Sequence, residues 1–150
     1  MISDIENIPA AGMPKRAFAK TVLIIEDDIV FRDLLGMHLA AAGYKVLVAE
    51  DAAVGGRMLL ASAPDLLLLD ILLPYLGGLE LLEAMREDPK VARIPVICLT
   101  SMRDEATYMK AADLGVSAFL TKPVRAEELL ATVENVMNGM RKEPGRNPTA

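Results

Sequence analysis

The 150-residue sequence predicts a doubly wound α/β domain, a parallel sheet covered by helices on both faces. Three observations lead there. Short apolar or β-branched runs alternate with amphipathic stretches in five successive β–α units. Three of the strand runs are apolar throughout instead of alternating, as strands buried on both faces are. Right-handed crossovers between parallel strands then place helices on either side of the sheet.

The units follow in order. Thr21–Ile25 is a β-branched strand run that ends in acids. Asp28–Ala42 places Ile29, Leu34, Leu35, His38, Leu39 and Ala42 at helical spacing, with Asp28 in N-cap position and Gly43 where a left-handed cap belongs. Tyr44–Ala49 is the second strand, and Ala52–Ala61 a short helix weakened by Gly55 and Gly56. Pro64 interrupts, and Asp65–Leu69 is an apolar third strand. Gly77 and Gly78 open a helix running to Arg86, and Ile94–Leu99 is the fourth strand. A helix over Asp104–Ala112 stops near Gly115, Ser117–Leu120 is the fifth strand, and Arg125–Met137 is the last helix.

Composition removes several function classes. Hydrophobic residues make up 53% and aromatics only 4%, so the core is aliphatic and the chain is not of disordered composition. A single Cys (Cys98) excludes a disulfide scaffold and a cysteine metal site, and a single His (His38) excludes a multi-histidine one. Cys98 reads as an inert strand residue and His38 as a structural or exposed one. The formal charge of −5 argues against direct nucleic-acid binding. No apolar run is long enough to span a membrane, and Met1–Ala10 lacks the pattern of a secretory signal. The expected location is cytoplasmic. Pro, Gly and basic residues mark 1–19 and 139–150 as flexible extensions around a domain at 20–138.

In a doubly wound sheet, ligands sit beyond the carboxyl ends of the strands. Glu26, Asp27 and Asp28 follow the first strand, Asp70 the third, Thr100 and Ser101 the fourth, and Lys122 with Pro123 the fifth. Crowded carboxylates repel unless a cation relieves them. Hard oxygen donors without His or Cys favour Mg²⁺. Lys122 and Thr100 could bind further oxygens of the same anion. Such a set suits phosphoryl transfer to a carboxylate.

Four motifs in this order carry a family resemblance. They are Val22-Leu-Ile-Ile-Glu-Asp-Asp28, Pro64-Asp-Leu-Leu-Leu-Leu-Asp-Ile-Leu-Leu-Pro74, Pro95-Val-Ile-Cys-Leu-Thr-Ser101 and Ala118-Phe-Leu-Thr-Lys-Pro123. Over about residues 20–138 the chain resembles a response-regulator receiver domain of two-component signalling, of the chemotaxis-regulator type. The resemblance implies a flavodoxin-like fold of five strands in order 2-1-3-4-5 with five helices. It implies that Asp70 is the phosphoacceptor attacking a phosphohistidine. Asp27 would bind Mg²⁺ directly, Glu26 largely through water, and Asp70 and the backbone carbonyl of Leu72 would complete the protein ligands. Thr100 would be the switch hydroxyl, Lys122 the lysine pairing with the phosphoryl group, and Phe119 the aromatic that turns inward on phosphorylation. The Lys122–Pro123 bond is expected to be cis.

The implied partners are a histidine kinase or histidine phosphotransfer protein and a downstream protein target, with a phosphorylation-dependent homodimer compatible. The implied protein is a phosphoacceptor and not an enzyme acting on outside substrates. A single-domain response regulator is expected, since only a short run-out follows Met137. The alternatives are a fragment of a larger regulator or hybrid kinase, or a scaffold that keeps the fold without phosphotransfer. The intact acidic cluster and Lys122 speak against the scaffold. A dehalogenase-like phosphatase would need a second acid where Leu72 stands, and a flavin or nucleotide binder a Gly-rich loop where Glu26–Asp28 would repel phosphate.

Three departures from the family pattern stand out. Phe119 lacks the hydroxyl of the Tyr often found there, and the turn Pro74–Gly78 lacks the acid or amide often found before its last Gly. The residues two after Asp70 and two after Thr100, Leu72 and Met102, are both apolar. Neither can orient a hydrolytic water. Autodephosphorylation is therefore expected to be slow. Phosphoryl decay followed in Mg²⁺ buffer tests this, and rapid loss of label contradicts it.

Overall fold

A computed structural model describes residues 19–73, 76–101 and 105–139. The two expected extensions (apart from residues 19 and 139), positions 74 and 75, and 102–104 with Met102 lie outside them. Five parallel strands, β1 (Thr21–Ile25), β2 (Lys45–Ala49), β3 (Leu66–Asp70), β4 (Val96–Thr100) and β5 (Ala118–Thr121), form one sheet in the order β2-β1-β3-β4-β5. Five helices alternate with them among the described residues: α1 (Ile29–Ala41), α2 (Ala52–Ser62), α3 (Gly78–Glu87), α4 (Glu105–Asp113) and α5 (Ala126–Met137).

Alternate residues of each strand serve opposite faces, as the period of two requires. Leu23, Ile25, Leu67, Leu69, Cys98 and Phe119 pack with Leu59 of α2, Leu82 of α3 and Ala111 of α4. Val22, Ile24, Leu66, Leu68, Ile97 and Leu120 pack with Leu39 of α1 and Val133 of α5. Each such Leu or Ile contributes roughly 1.5–3 kcal/mol by leaving water. Burial on both faces explains why β3 and β4 are continuous apolar runs. Cys98 lies fully inside, and its burial pushes the thiol up to about 12. An uncharged, inaccessible thiol is unreactive, as the sequence suggests.

Several boundaries differ from the expected ones by one or two residues, each for a local reason. The backbone N–H of Tyr44 is used to close α1, donating to Leu39 O, while Gly43 takes φ 99°. Strand β2 therefore begins at Lys45. Ile94 N donates to Val91 O in a turn and Pro95 has no N–H to give, so β4 begins at Val96. Strands β3 and β4 each run one residue further than the apolar run, which makes Asp70 and Thr100 the last strand residues. Thus Asp70 stands in register with Leu99, and Thr100 with Thr121.

The face of α1 also differs. Leu35 and Leu39 are buried, but Ile29 is 60% and Leu34 45% exposed. Apolar residues occur on both sides of this helix, so spacing alone does not select the side that meets the sheet. Gly55 has the opposite lesson. A Cβ there would overlap the Ile25 side chain, so the residue that lowers helix propensity is what lets α2 approach β1. Gly55→Ala is expected to destabilise the fold by about 1–3 kcal/mol through overpacking, read as a lower urea midpoint at unchanged slope.

Candidate functional site

The carboxyl ends of β1, β3, β4 and β5 meet at one edge of the sheet, and most of the chemistry-bearing residues lie there. Glu26 follows β1, and its N–H donates to Ala49 O across the β1–β2 pair at 3.1 Å. Its side chain is fully buried. Asp27 beside it is exposed. Asp70 ends β3 with only 3% of its surface exposed. Thr100, equally buried, ends β4, and its carbonyl accepts from Lys122 N at 2.9 Å. That bond ties the residue after β5 to the end of β4. The Lys122–Pro123 peptide is cis, as expected.

Lys122 joins two of the acids. Its Nζ lies 2.6 Å from Glu26 Oε1 and 3.0 Å from Asp70 Oδ2. The other Asp70 oxygen, Oδ1, accepts from Leu72 N at 2.9 Å. Glu26 Oε2 accepts from Asp28 N at 3.1 Å. Both Asp70 oxygens are therefore held, one by a backbone N–H and one by an ammonium. Asp28 is the N-cap of α1, taking Val30 N and Phe31 N on Oδ1, and is not part of the cluster. Arg32 Nη1 donates to Glu26 O at 3.2 Å, which pins the first turn of α1 to the acidic strand end.

Removing these charges from water has a visible electrostatic effect. Burial pushes the Glu26 carboxyl up to about 7, against the opposing pull of Lys122. Burial also works against the Lys122 ammonium. Its bonds to Glu26 and Asp70, and their charges, outweigh that and hold its pKa above the ordinary lysine value.

The residues fit a hard divalent cation. One carboxylate oxygen from each of Glu26, Asp27 and Asp70 lies within 4.8 Å of the others. Apart from the Lys122 ion pair, buried Glu26 Oε1 has no hydrogen-bond partner among the described residues. Exposed Asp27 leaves an approach from solvent. An all-oxygen set of this kind suits Mg²⁺, which keeps several waters and binds few carboxylates. Leu72 also lies at this edge, with its side chain 48% exposed.

Phe119 is 7% exposed, and its ring stacks on Tyr108 of α4 at 4.0 Å between centroids and 28° between planes. The switch aromatic expected from the sequence is thus already inside. Tyr108 and Phe31 are the residues that sequence reading missed. Phe31 places its ring 4.9 Å from Lys122 Nζ. No linear motif links a helix aromatic to a strand residue in another unit. The sequence marks Gly78 only as a helix start. A Cβ there would come within 2.5 Å of Asp70 O and 2.8 Å of Ile71 Cα, so α3 begins directly against the acidic residue's backbone.

A cavity of about 550 Å³ lies at the opposite edge, beside Pro95 and Ser117. Its Arg86 donates to the carbonyls of Leu114, Ala92, Ile94 and Gly115, which ties α3 to the turns before β4 and β5. That arrangement is a structural clamp.

Known proteins agree with this geometry. The family model described as the response regulator receiver domain matches residues 22–134. The chain is 35% identical over 123 residues to the "DNA-binding dual master transcriptional regulator RpaA" of Synechocystis, covering 82% of this chain and 51% of that protein. It is 33% identical over 126 residues to the phosphate regulon transcriptional regulatory protein PhoB of Pseudomonas aeruginosa, covering 84% and 54%. The chain spans about half the length of these relatives. Among solved structures, the chemotaxis response regulator CheY4 of Vibrio cholerae superposes with a TM-score of 0.74 at 26% identity, over 79% of this chain and 98% of that one. The doubly wound, flavodoxin-like topology is common to both. No helix among the described residues is long and apolar enough to cross a membrane.

The carboxylate cluster leads to a joint metal and pH prediction. The folded state of the metal-free protein holds a proton on Glu26 more tightly than the unfolded chain does. Stability from this group is full below about pH 4.5 and is lost as pH rises to about 7, on the order of 3 kcal/mol. Millimolar Mg²⁺ is expected to raise the melting temperature at pH 7.5, with EDTA reversing it. Glu26→Gln should flatten the pH 5–8 slope of the metal-free protein. An unchanged slope, or no Mg²⁺ effect, contradicts the assignment.

Proposed function

The chain belongs to the response-regulator receiver family of two-component signalling, and on that premise we propose that it is a phosphoacceptor switch whose acceptor is Asp70. The observation that carries this reading is the Asp70 carboxylate, buried at the sheet edge between the Leu72 N–H and the Lys122 ammonium, beside two further acids. A lone buried carboxylate costs several kcal/mol unless it is paired, so its presence in an otherwise apolar strand calls for a use.

Asp70 attacks the phosphorus of a phosphohistidine carried by a histidine kinase or phosphotransfer protein. An O–P bond forms, the P–N bond breaks, and the imidazole leaves as the donor's neutral ring once protonated. The backbone N–H of Leu72 and the Lys122 ammonium orient the carboxylate. Lys122 then pairs with a phosphoryl oxygen, and the Thr100 hydroxyl bonds another. Glu26, Asp27, Asp70 and the Leu72 carbonyl would hold Mg²⁺. When bound, Mg²⁺ offsets the repulsion between these acids and an incoming phosphoryl group. The chain assists only its own phosphorylation and dephosphorylation.

The output is a changed surface. Phe119 is already buried against Tyr108, so a shift of Thr100 on phosphorylation would reach α4 through the ring stack without an inward turn of Phe119. The α4–β5–α5 surface would then favour a protein partner or a second copy of the chain, a shift between two packings. The net charge of −5 supports a protein target over direct nucleic-acid contact. The proposed setting is the cytoplasm.

Intact mass after incubation with acetyl phosphate and Mg²⁺ is expected to show one added phosphoryl group, absent in Asp70→Asn. The chain has no Trp and three Tyr, so Tyr108 can be read alone in a Tyr44→Phe, Tyr75→Phe background. Its emission is expected to change on phosphorylation, and not in Asp70→Asn. Equal uptake by both proteins, or a silent Tyr108, contradicts the acceptor or the switch respectively.

A further inference from the structure

We propose that Phe31 is a positioning residue for Lys122, holding the ammonium at Asp70 while the ammonium's anionic partners change. This rests on the phosphoacceptor reading of Asp70. Lys122 Nζ lies 4.9 Å from the Phe31 ring centroid, within cation–π range. It also makes ion pairs to Glu26 at 2.6 Å and Asp70 at 3.0 Å. Those two carboxylates are the groups whose charge is redistributed when a divalent cation and a phosphoryl group arrive. A lysine held by them alone, on a flexible four-carbon stem, would be released at the moment it is needed.

Phe31 is neutral and ligates nothing, so it stays in place through that exchange. Its backbone is fixed by the first turn of α1, with no bond to Asp70 or Lys122. Phe31 N donates to the N-cap Asp28 Oδ1 at 3.1 Å, and the next residue, Arg32, bonds Glu26 O. Its side chain packs against the core face shared by α1 and α5. The third residue after the N-cap thereby carries an aromatic face to the ammonium of a lysine whose side chain is only 23% exposed. Partial desolvation of this kind strengthens the attraction between a cation and the ring quadrupole.

The test uses the full chain with Phe31→Leu, which keeps an apolar side chain, and Phe31→Tyr, which keeps the ring. Phosphoryl uptake from acetyl phosphate with Mg²⁺ is expected to slow about three- to ten-fold in Phe31→Leu and to stay within about two-fold of wild type in Phe31→Tyr. A melting cycle in EDTA with Lys122→Met separates this from packing. Phe31→Leu should lower the melting temperature by a few degrees more in the native background than beside Lys122→Met. Equal losses in both backgrounds, or equal slowing by Leu and Tyr, overturn the proposal. If wild type takes up no phosphoryl group, the phosphoacceptor reading fails, and the melting cycle alone decides whether Phe31 holds Lys122.

Discussion

An ammonium shared between two buried carboxylates governs the carboxyl edge of this sheet. Lys122 reaches Glu26 and Asp70 at once, and both acids are almost wholly removed from water. Ion pairs in such a place gain little net stability, because desolvation offsets their attraction. Removing one partner is another matter, since it strands a buried charge at roughly 3–5 kcal/mol. The three residues come from the ends of three strands. Their contact therefore requires β1, β3 and β5 to be in register, as the pairing through β3 and β4 places them. The close approaches at Gly55 and Gly78 set how tightly α2 and α3 meet this frame.

The cluster is under-compensated by design of its composition. Three acids gather beside one lysine, and burial of Glu26, with a smaller push from the Asp70 charge, raises its pKa against the pull of Lys122. A site in that condition attracts a cation, and an anion can follow once the cation is present. Fixed backbone donors and caps hold the rest: Leu72 N on Asp70, Asp28 on the start of α1, Lys122 N on Thr100 O. The two ring contacts extend the cluster outward. One covers the lysine, and the other links the Phe119 strand position to α4.

Much of this was legible from the residues in order. An Asp interrupting an apolar strand, an acidic pair closing a β-branched run, and a Lys-Pro after the last strand are local signals. The alternation of units places them on one edge. Asp28 was readable as a cap because capping depends on its immediate neighbours. What could not be read were choices made by packing. Ile29 and Leu34 flank the buried stripe of Leu35 and Leu39 on α1 and stay exposed, and their apolar character alone does not tell them from it. Gly55 looked like a weakness because its neighbour Ile25 lies in another unit. Phe31 and Tyr108 escaped notice for the same reason, since each meets its partner only after the sheet is assembled.

The proposed acceptor chemistry would turn a single carboxylate, that of Asp70, into an acyl phosphate. Borohydride reduction of the phosphorylated chain converts an aspartyl phosphate to homoserine, which peptide mass mapping locates. Homoserine is expected at position 70 and at no other acid of the cluster. Conversion at Glu26 or Asp27, or at none of the three in protein that has gained a phosphoryl group, would contradict it.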